Sequence, residues 1–206
     1  RLVFLCSPNN PTGRVESPAL VGRAAEQCAE VGSLLVVDEA YGQFAGWSAL
    51  ELVDEPRPLV VCRTFSKTWA MAGARLGYAV APTWVVEQLE KVVLPYHLDS
   101  VTQLAGLLAL DHAAAMEARV AAIVAERERL TEALADLPVQ TWPSGANFVL
   151  LRPAADGDAV WSALLDRGVL VRNCSSWPRL AGCLRVTVGT PAENDAFLEA
   201  LTEVLA

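Results

Sequence analysis

The stretch Cys62-Arg63-Thr64-Phe65-Ser66-Lys67-Thr68-Trp69-Ala70-Met71-Ala72-Gly73-Ala74-Arg75-Leu76-Gly77 sets a lysine between hydroxyl side chains and an arginine eight residues beyond it. These residue types suit an aldehyde ligand that also carries a phosphate. An amine condenses with an aldehyde only in its neutral form, and an ordinary lysine is protonated at neutral pH, so Lys67 needs a desolvated, cationic setting. Arg75 supplies positive charge and, with Thr64 and Ser66, a clamp for phosphate, because guanidinium and hydroxyl donors match its oxygens. Alone, a Ser-Lys pair before a glycine-containing turn is more often an exposed loop than a site.

Two upstream segments change that balance. Asn10-Pro11-Thr12-Gly13 and Asp38-Glu39-Ala40-Tyr41 each follow an apolar run directly. Those runs, Leu2 to Cys6 and Ser33 to Val37, read as strands buried on both faces of a parallel sheet, and Leu59 to Arg63 as a third. Between the first two, Ser17 is a good N-cap, Pro18 suits the first helical position, and Leu20, Val21, Ala24, Ala25, Cys28 and Val31 recur at helical spacing up to Gly32. A strand, helix, strand succession is a right-handed crossover, which delivers Asn10, Asp38 and Lys67 to like strand ends. Ligands sit at that edge in open α/β sheets.

Further along, Gly77 to Ala81 reads as a fourth strand, and Thr83 as the cap of a helix through Val92. Ser100 opens a helix to about Asp111, and a longer one runs from about Ala114 to Leu137. The remainder has shorter alternation. It reads as a hairpin (Val139 to Trp142 and Ala146 to Leu151), a helix from Asp158 to Arg167, and strands at Val169 to Val171 and Cys183 to Val188. Thr190-Pro191-Ala192-Glu193 is a capping box ahead of a last helix. The class is α/β, followed by an α+β segment of about 90 residues.

Composition narrows the function. The 206 residues are 53% apolar and 19% charged, enough to bury a substantial core, and the net charge is -8. With no basic stretch to neutralise phosphates, nucleic acid is not an expected partner. Five cysteines without a CxxC pair read as reduced thiols, and two histidines without ligand-like spacing argue against a metal site. No signal peptide or long apolar run is present, so the expectation is a cytoplasmic protein without a membrane partner. The chain opens at Arg1 directly on a core-type strand, as the C-terminal part of a longer protein would.

With Asn10-Pro11-Thr12-Gly13, Asp38-x-x-Tyr41, Lys67 and Arg75 in this order, the chain resembles the fold type I pyridoxal phosphate (PLP) aminotransferases, most closely the histidinol-phosphate aminotransferase branch. The resemblance covers essentially the whole chain. It implies a PLP-transferase fold, with residues 1-112 as the C-terminal part of the large PLP-binding domain and 113-206 as an interdomain helix and small domain. It implies that Lys67 is the Schiff-base lysine, Asp38 the buried carboxylate that keeps the pyridine nitrogen protonated, Asn10 and Tyr41 donors to the phenolate oxygen, and Arg75 the phosphate-binding arginine, beside Thr64 and Ser66. Arg172 and Arg185 match the arginines that receive the substrate's phosphate and the carboxylate of glutamate. Taken singly, Asp38 also reads as a strand-end cap, Tyr41 as a core aromatic and Arg172 as half of a surface ion pair.

The implied partners are a small-molecule amino donor, a 2-oxo acid acceptor and a second copy in a homodimer. Family members carry an N-terminal half that this chain lacks, so the 206 residues alone are expected not to turn over. Threonine-phosphate decarboxylase of cobalamin synthesis shares the same motifs and the Arg172 to Pro178 stretch. Another amino-acid aminotransferase, or the effector domain of a PLP-dependent transcription regulator, also accommodates them.

Overall fold

The computed structural model describes all 206 residues, Arg1–Ala206. They form two compact units, Arg1–Pro8 with Val15–Arg119, and Asn9–Arg14 with Val120–Ala206.

In the first unit β1 (Leu2–Cys6), β2 (Leu34–Asp38) and β3 (Leu59–Thr64) are parallel, and β4 (Gly77–Val80) runs antiparallel to β3. Helix α1 (Pro18–Glu30) crosses from β1 to β2, capped as expected by Ser17, whose side chain accepts from the Leu20 N–H. Its buried face, Val21, Ala25 and Cys28, packs on alternate strand residues Leu35, Val37, Leu59 and Val61, the period-two face of the sheet. The register pairs Cys6 with Asp38 and Asp38 with Cys62, which aligns the carboxyl ends of the parallel strands. β1 is not buried on both faces. It is an edge strand with only β2 beside it, and Leu2 and Phe4 are 60% and 71% exposed.

Two helix starts also differ from expectation. α2 (Thr83–Glu90) has Pro82 at its N-cap, and the Thr83 hydroxyl donates instead to Glu55 at 2.7 Å. α3 (Ser100–Leu110) is capped by Asp99, whose carboxylate accepts from the Thr102 N–H and hydroxyl at 2.9 and 2.7 Å. A carboxylate one residue earlier takes the orphan donor that Ser100 was expected to satisfy. The long helix α4 (Ala113–Ala135) follows, and the division between units falls within it, after Arg119.

The second unit is an antiparallel sheet in the order β5 (Val139–Thr141), β6 (Phe148–Pro153), β8 (Leu184–Thr187), β7 (Arg172–Asn173), with helices α5 (Gly157–Asp166) and α6 (Pro191–Leu205). Leu130, Leu134, Val149, Leu151, Leu164, Leu184 and Leu201 fill its core. Residues 169–171 are not a strand, because their backbone turns to α5. The Val169 N–H donates to the Leu164 carbonyl at 2.9 Å, and the Val171 carbonyl accepts from Trp161 Nε1 at 3.0 Å. The ladder therefore begins only at Arg172.

Candidate functional site

A cavity of about 390 Å³ opens where β2 and β3 end, lined by Asp38, Ala40, Cys62, Arg63, Thr64, Ser66, Lys67, Ala72 and Arg75. Five of the residues singled out from sequence thus meet in one place. Asp38 ends β2 with Oδ1 accepting from the Ala40 N–H at 2.9 Å, so it does cap the strand. Its side chain is exposed at the cavity, not buried as a carboxylate partner for a ring nitrogen was expected to be.

Lys67 is likewise exposed, with Nζ 5.2 Å from the centre of the Tyr41 ring, while Tyr41 is itself a core aromatic at 8% exposure. At the end of β3 the Thr64 hydroxyl lies 2.9 Å from the Ser66 hydroxyl and accepts from the Ser66 N–H at 3.0 Å. Arg75 adopts a left-handed backbone, φ +53°, and one Nη donates to the Ala72 carbonyl at 3.0 Å. Amine, guanidinium, two hydroxyls and a carboxylate around one cavity form a donor set that fits an aldehyde bearing a phosphate and a basic ring nitrogen. Burial, and secondarily the Asp38 charge, push the Cys62 thiol up.

Beneath this wall lies a second group, which sequence reasoning did not single out. Glu39, 4% exposed, accepts from Arg63 Nε and Nη2 at 3.1 and 2.9 Å, from the Ser48 hydroxyl at 2.8 Å and from the Ala49 N–H at 2.6 Å. Thr68, 2% exposed, donates to Gln43 Oε1 at 2.7 Å, and its carbonyl accepts from Arg119 at 3.0 Å. The turn after Tyr41 is thereby tied to the turn that carries Lys67. The available signal was a glutamate and an arginine at the ends of otherwise apolar strands.

In the second unit, Arg172 and Arg185 are register partners across β7 and β8. Arg185 stacks over Phe148, 4.8 Å from the ring centre, and donates to Asn10 Oδ1 at 2.6 Å, while its buried Nε has no acceptor. Leaving a buried donor unmatched costs about 1–3 kcal/mol, so packing alone does not explain this guanidinium. Asn10 sits in a loop closed by the bond from the Gly13 N–H to the Asn9 carbonyl at 2.7 Å. That loop is held to the 144–145 turn by the Gly145 N–H to Gly13 carbonyl bond at 2.8 Å. Gly13 has φ +73°, and a Cβ there would lie 2.2 Å from Ser144 Oγ, so only glycine fits. Arg172 is exposed, and no ion pair engages it.

The model of the aminotransferase class I and II family matches residues 1–201. The histidinol-phosphate aminotransferase of Frankia casuarinae is 50% identical over 99% of this chain and 51% of its own length, so the chain spans about half of that curated relative. The Sinorhizobium meliloti histidinol-phosphate aminotransferase, solved with pyridoxal-5'-phosphate, aligns with a TM-score of 0.86 at 29% identity over 99% of this chain and 57% of that one. The L-threonine-O-3-phosphate decarboxylase of Porphyromonas gingivalis shares the fold, with a TM-score of 0.85 at 24% identity over 99% of this chain and 64% of that one.

Proposed function

Because the chain belongs to the aminotransferase class I and II family and has its fold type I PLP-transferase architecture, we propose that the protein carrying it transfers an amino group from histidinol phosphate to 2-oxoglutarate with PLP as cofactor, in histidine synthesis. The observation that carries this reading is the convergence of Asp38, Thr64, Ser66, Lys67 and Arg75 on one cavity. The names of the relatives and the paired arginines of β7 and β8 support the choice of substrate.

PLP supplies an aldehyde that takes up the amine and a protonated ring that draws electrons from the substrate's α-carbon. Lys67 Nζ would hold PLP at the cavity and would carry a proton away from the substrate's α-carbon. Asp38 would supply the carboxylate that keeps the ring nitrogen protonated. Arg75, Thr64 and Ser66 would hold the phosphate of PLP, and the family resemblance assigns Tyr41 and Asn10 as donors that would serve its phenolate oxygen. Arg172 and Arg185 receive the anionic groups of the donor and of the 2-oxo acid, which planar guanidinium forks bind in bidentate fashion. A bound ligand that fills the cavity also strips water from Lys67 and Asp38, providing the desolvation that the open site lacks.

The test is the visible absorption of the full-length protein loaded with PLP. Histidinol phosphate is expected to bleach the band and 2-oxoglutarate to restore it. A band unaffected by histidinol phosphate contradicts the substrate, and carbon dioxide release from threonine phosphate in its place assigns a decarboxylase.

A further inference from the structure

Asp38 and Glu39 are neighbours on one strand end, yet they face opposite ways, as successive strand residues do. Asp38 lines the cavity, and Glu39 is buried behind it. A buried ion pair is poor value as a stabiliser, since well-packed apolar residues of similar size commonly do as well or better. What the Glu39–Arg63 pair supplies is location. Arg63 lies between Cys62 and Thr64 on β3, and all three line the cavity, so the two bonds from its guanidinium to Glu39 Oε2 lock the end of β3 to the end of β2. The Glu39 N–H reinforces this by donating to the Cys62 carbonyl at 2.9 Å.

Glu39 also packs against the turn that follows. Gly42 donates its N–H to the Glu39 carbonyl at 2.9 Å, and a Cβ at Gly42 would lie 2.7 Å from Glu39 Oε2. The turn is packed directly onto the acid, and Tyr41, whose ring lies 5.2 Å from Lys67 Nζ, is the residue before it. Ser48 bridges the pair by donating to Glu39 Oε2 and accepting from Arg63 Nη2, each at 2.8 Å. Every acceptor bond to Glu39 comes from a donor, so a neutral amide in its place turns an N–H₂ group toward Arg63, Ser48 or the Ala49 N–H.

We propose that Glu39 is a positioning residue. Acting through Arg63 and Gly42, it holds Asp38 and Tyr41 in the geometry to Lys67 that the PLP chemistry requires. The inference rests on the proposed function.

The experiment uses the full-length protein loaded with PLP, as wild type, Glu39→Gln, Glu39→Asp and the double variant Glu39→Met/Arg63→Leu. For each, thermal unfolding, the PLP dissociation constant and the pH midpoint of the visible band are measured. The double variant replaces the ion pair by apolar groups and is expected to melt near wild type. Its band midpoint is nevertheless expected to move by about one pH unit, a tenfold change in the protonation equilibrium, with PLP held correspondingly more weakly. Glu39→Gln is expected to shift the midpoint in the same direction, and Glu39→Asp, which keeps the charge, to recover part of it.

A double variant that folds with wild-type midpoint and affinity overturns the proposal and leaves a structural ion pair. Where the double variant does not fold, Glu39→Gln decides, since an unchanged midpoint there overturns it equally. Failure of the wild type itself to develop a visible band with PLP overturns the proposed function, and this inference with it.

Discussion

Cys62 reports on the cavity before any substrate is added. Burial and the neighbouring Asp38 carboxylate both disfavour its thiolate, the form that reacts. Alkylation of Cys62 is therefore expected to rise with pH to a midpoint above the ordinary thiol value of about 8.5. Asp38→Asn lowers that midpoint, and a midpoint at or below the free thiol contradicts the assigned environment. On the proposed function, Asp38→Asn in the full-length protein is expected to reduce kcat by about 100-fold or more, because the charge proposed for the ring nitrogen is lost. Arg185→Ala raises the KM for the anionic substrate about 10- to 100-fold, the scale of a charge-assisted bond, and Arg185→Lys recovers only part of it. That Asp38, Lys67 and Arg75 line one cavity was legible in the sequence, because Asp38 and Lys67 each follow an apolar run closely and Arg75 stands eight residues beyond Lys67. Glu39 was not, since its importance depends on Arg63, which reaches it from another strand. The burial expected of Asp38 failed for a related reason, because exposure depends on what lies above the strand ends.

At the scale of elements, local chemistry that closes within four residues was readable. Ser17 with Pro18 starts α1, and Thr190 with Glu193 forms the expected capping box of α6. Thr190→Ala is expected to destabilise the second unit by about 1 kcal/mol in denaturant unfolding. Bonds from the Thr190 N–H and hydroxyl hold the Glu193 carboxyl below its usual range. A carboxyl lowered in the folded state contributes stability that is present above the unfolded value of about 4.3 and fades as pH falls through the lower folded value. Glu193→Gln should accordingly flatten the acid limb of the stability curve, and an unaltered limb contradicts the capping account. Where competition decided the outcome, the sequence was a poorer guide. Asp99 outcompeted Ser100 as a cap, and α5 took the backbone bonds of residues 169–171 that a strand would have used.

Across the molecule as a whole, apolar side chains stand unusually open. Phe4 on the edge strand β1 is 71% exposed, and Val101, Leu104 and Leu107 on α3 are 76%, 57% and 67% exposed. Apolar patches and unpaired strand edges promote association. These 206 residues expressed alone are expected to bind a hydrophobic dye and to self-associate in sedimentation, and Phe4→Lys with Leu107→Lys to reduce both. The proposed chemistry turns on one amine. The chain has two lysines, Lys67 in the cavity and Lys91, whose Nζ donates to Gln88 Oε1 at 3.0 Å on an exposed turn. The most direct measurement is borohydride reduction of the PLP-loaded full-length protein followed by peptide mapping. A phosphopyridoxyl group on Lys67 is the predicted result. Stable labelling at any other lysine, with Lys67 unmodified, contradicts the account.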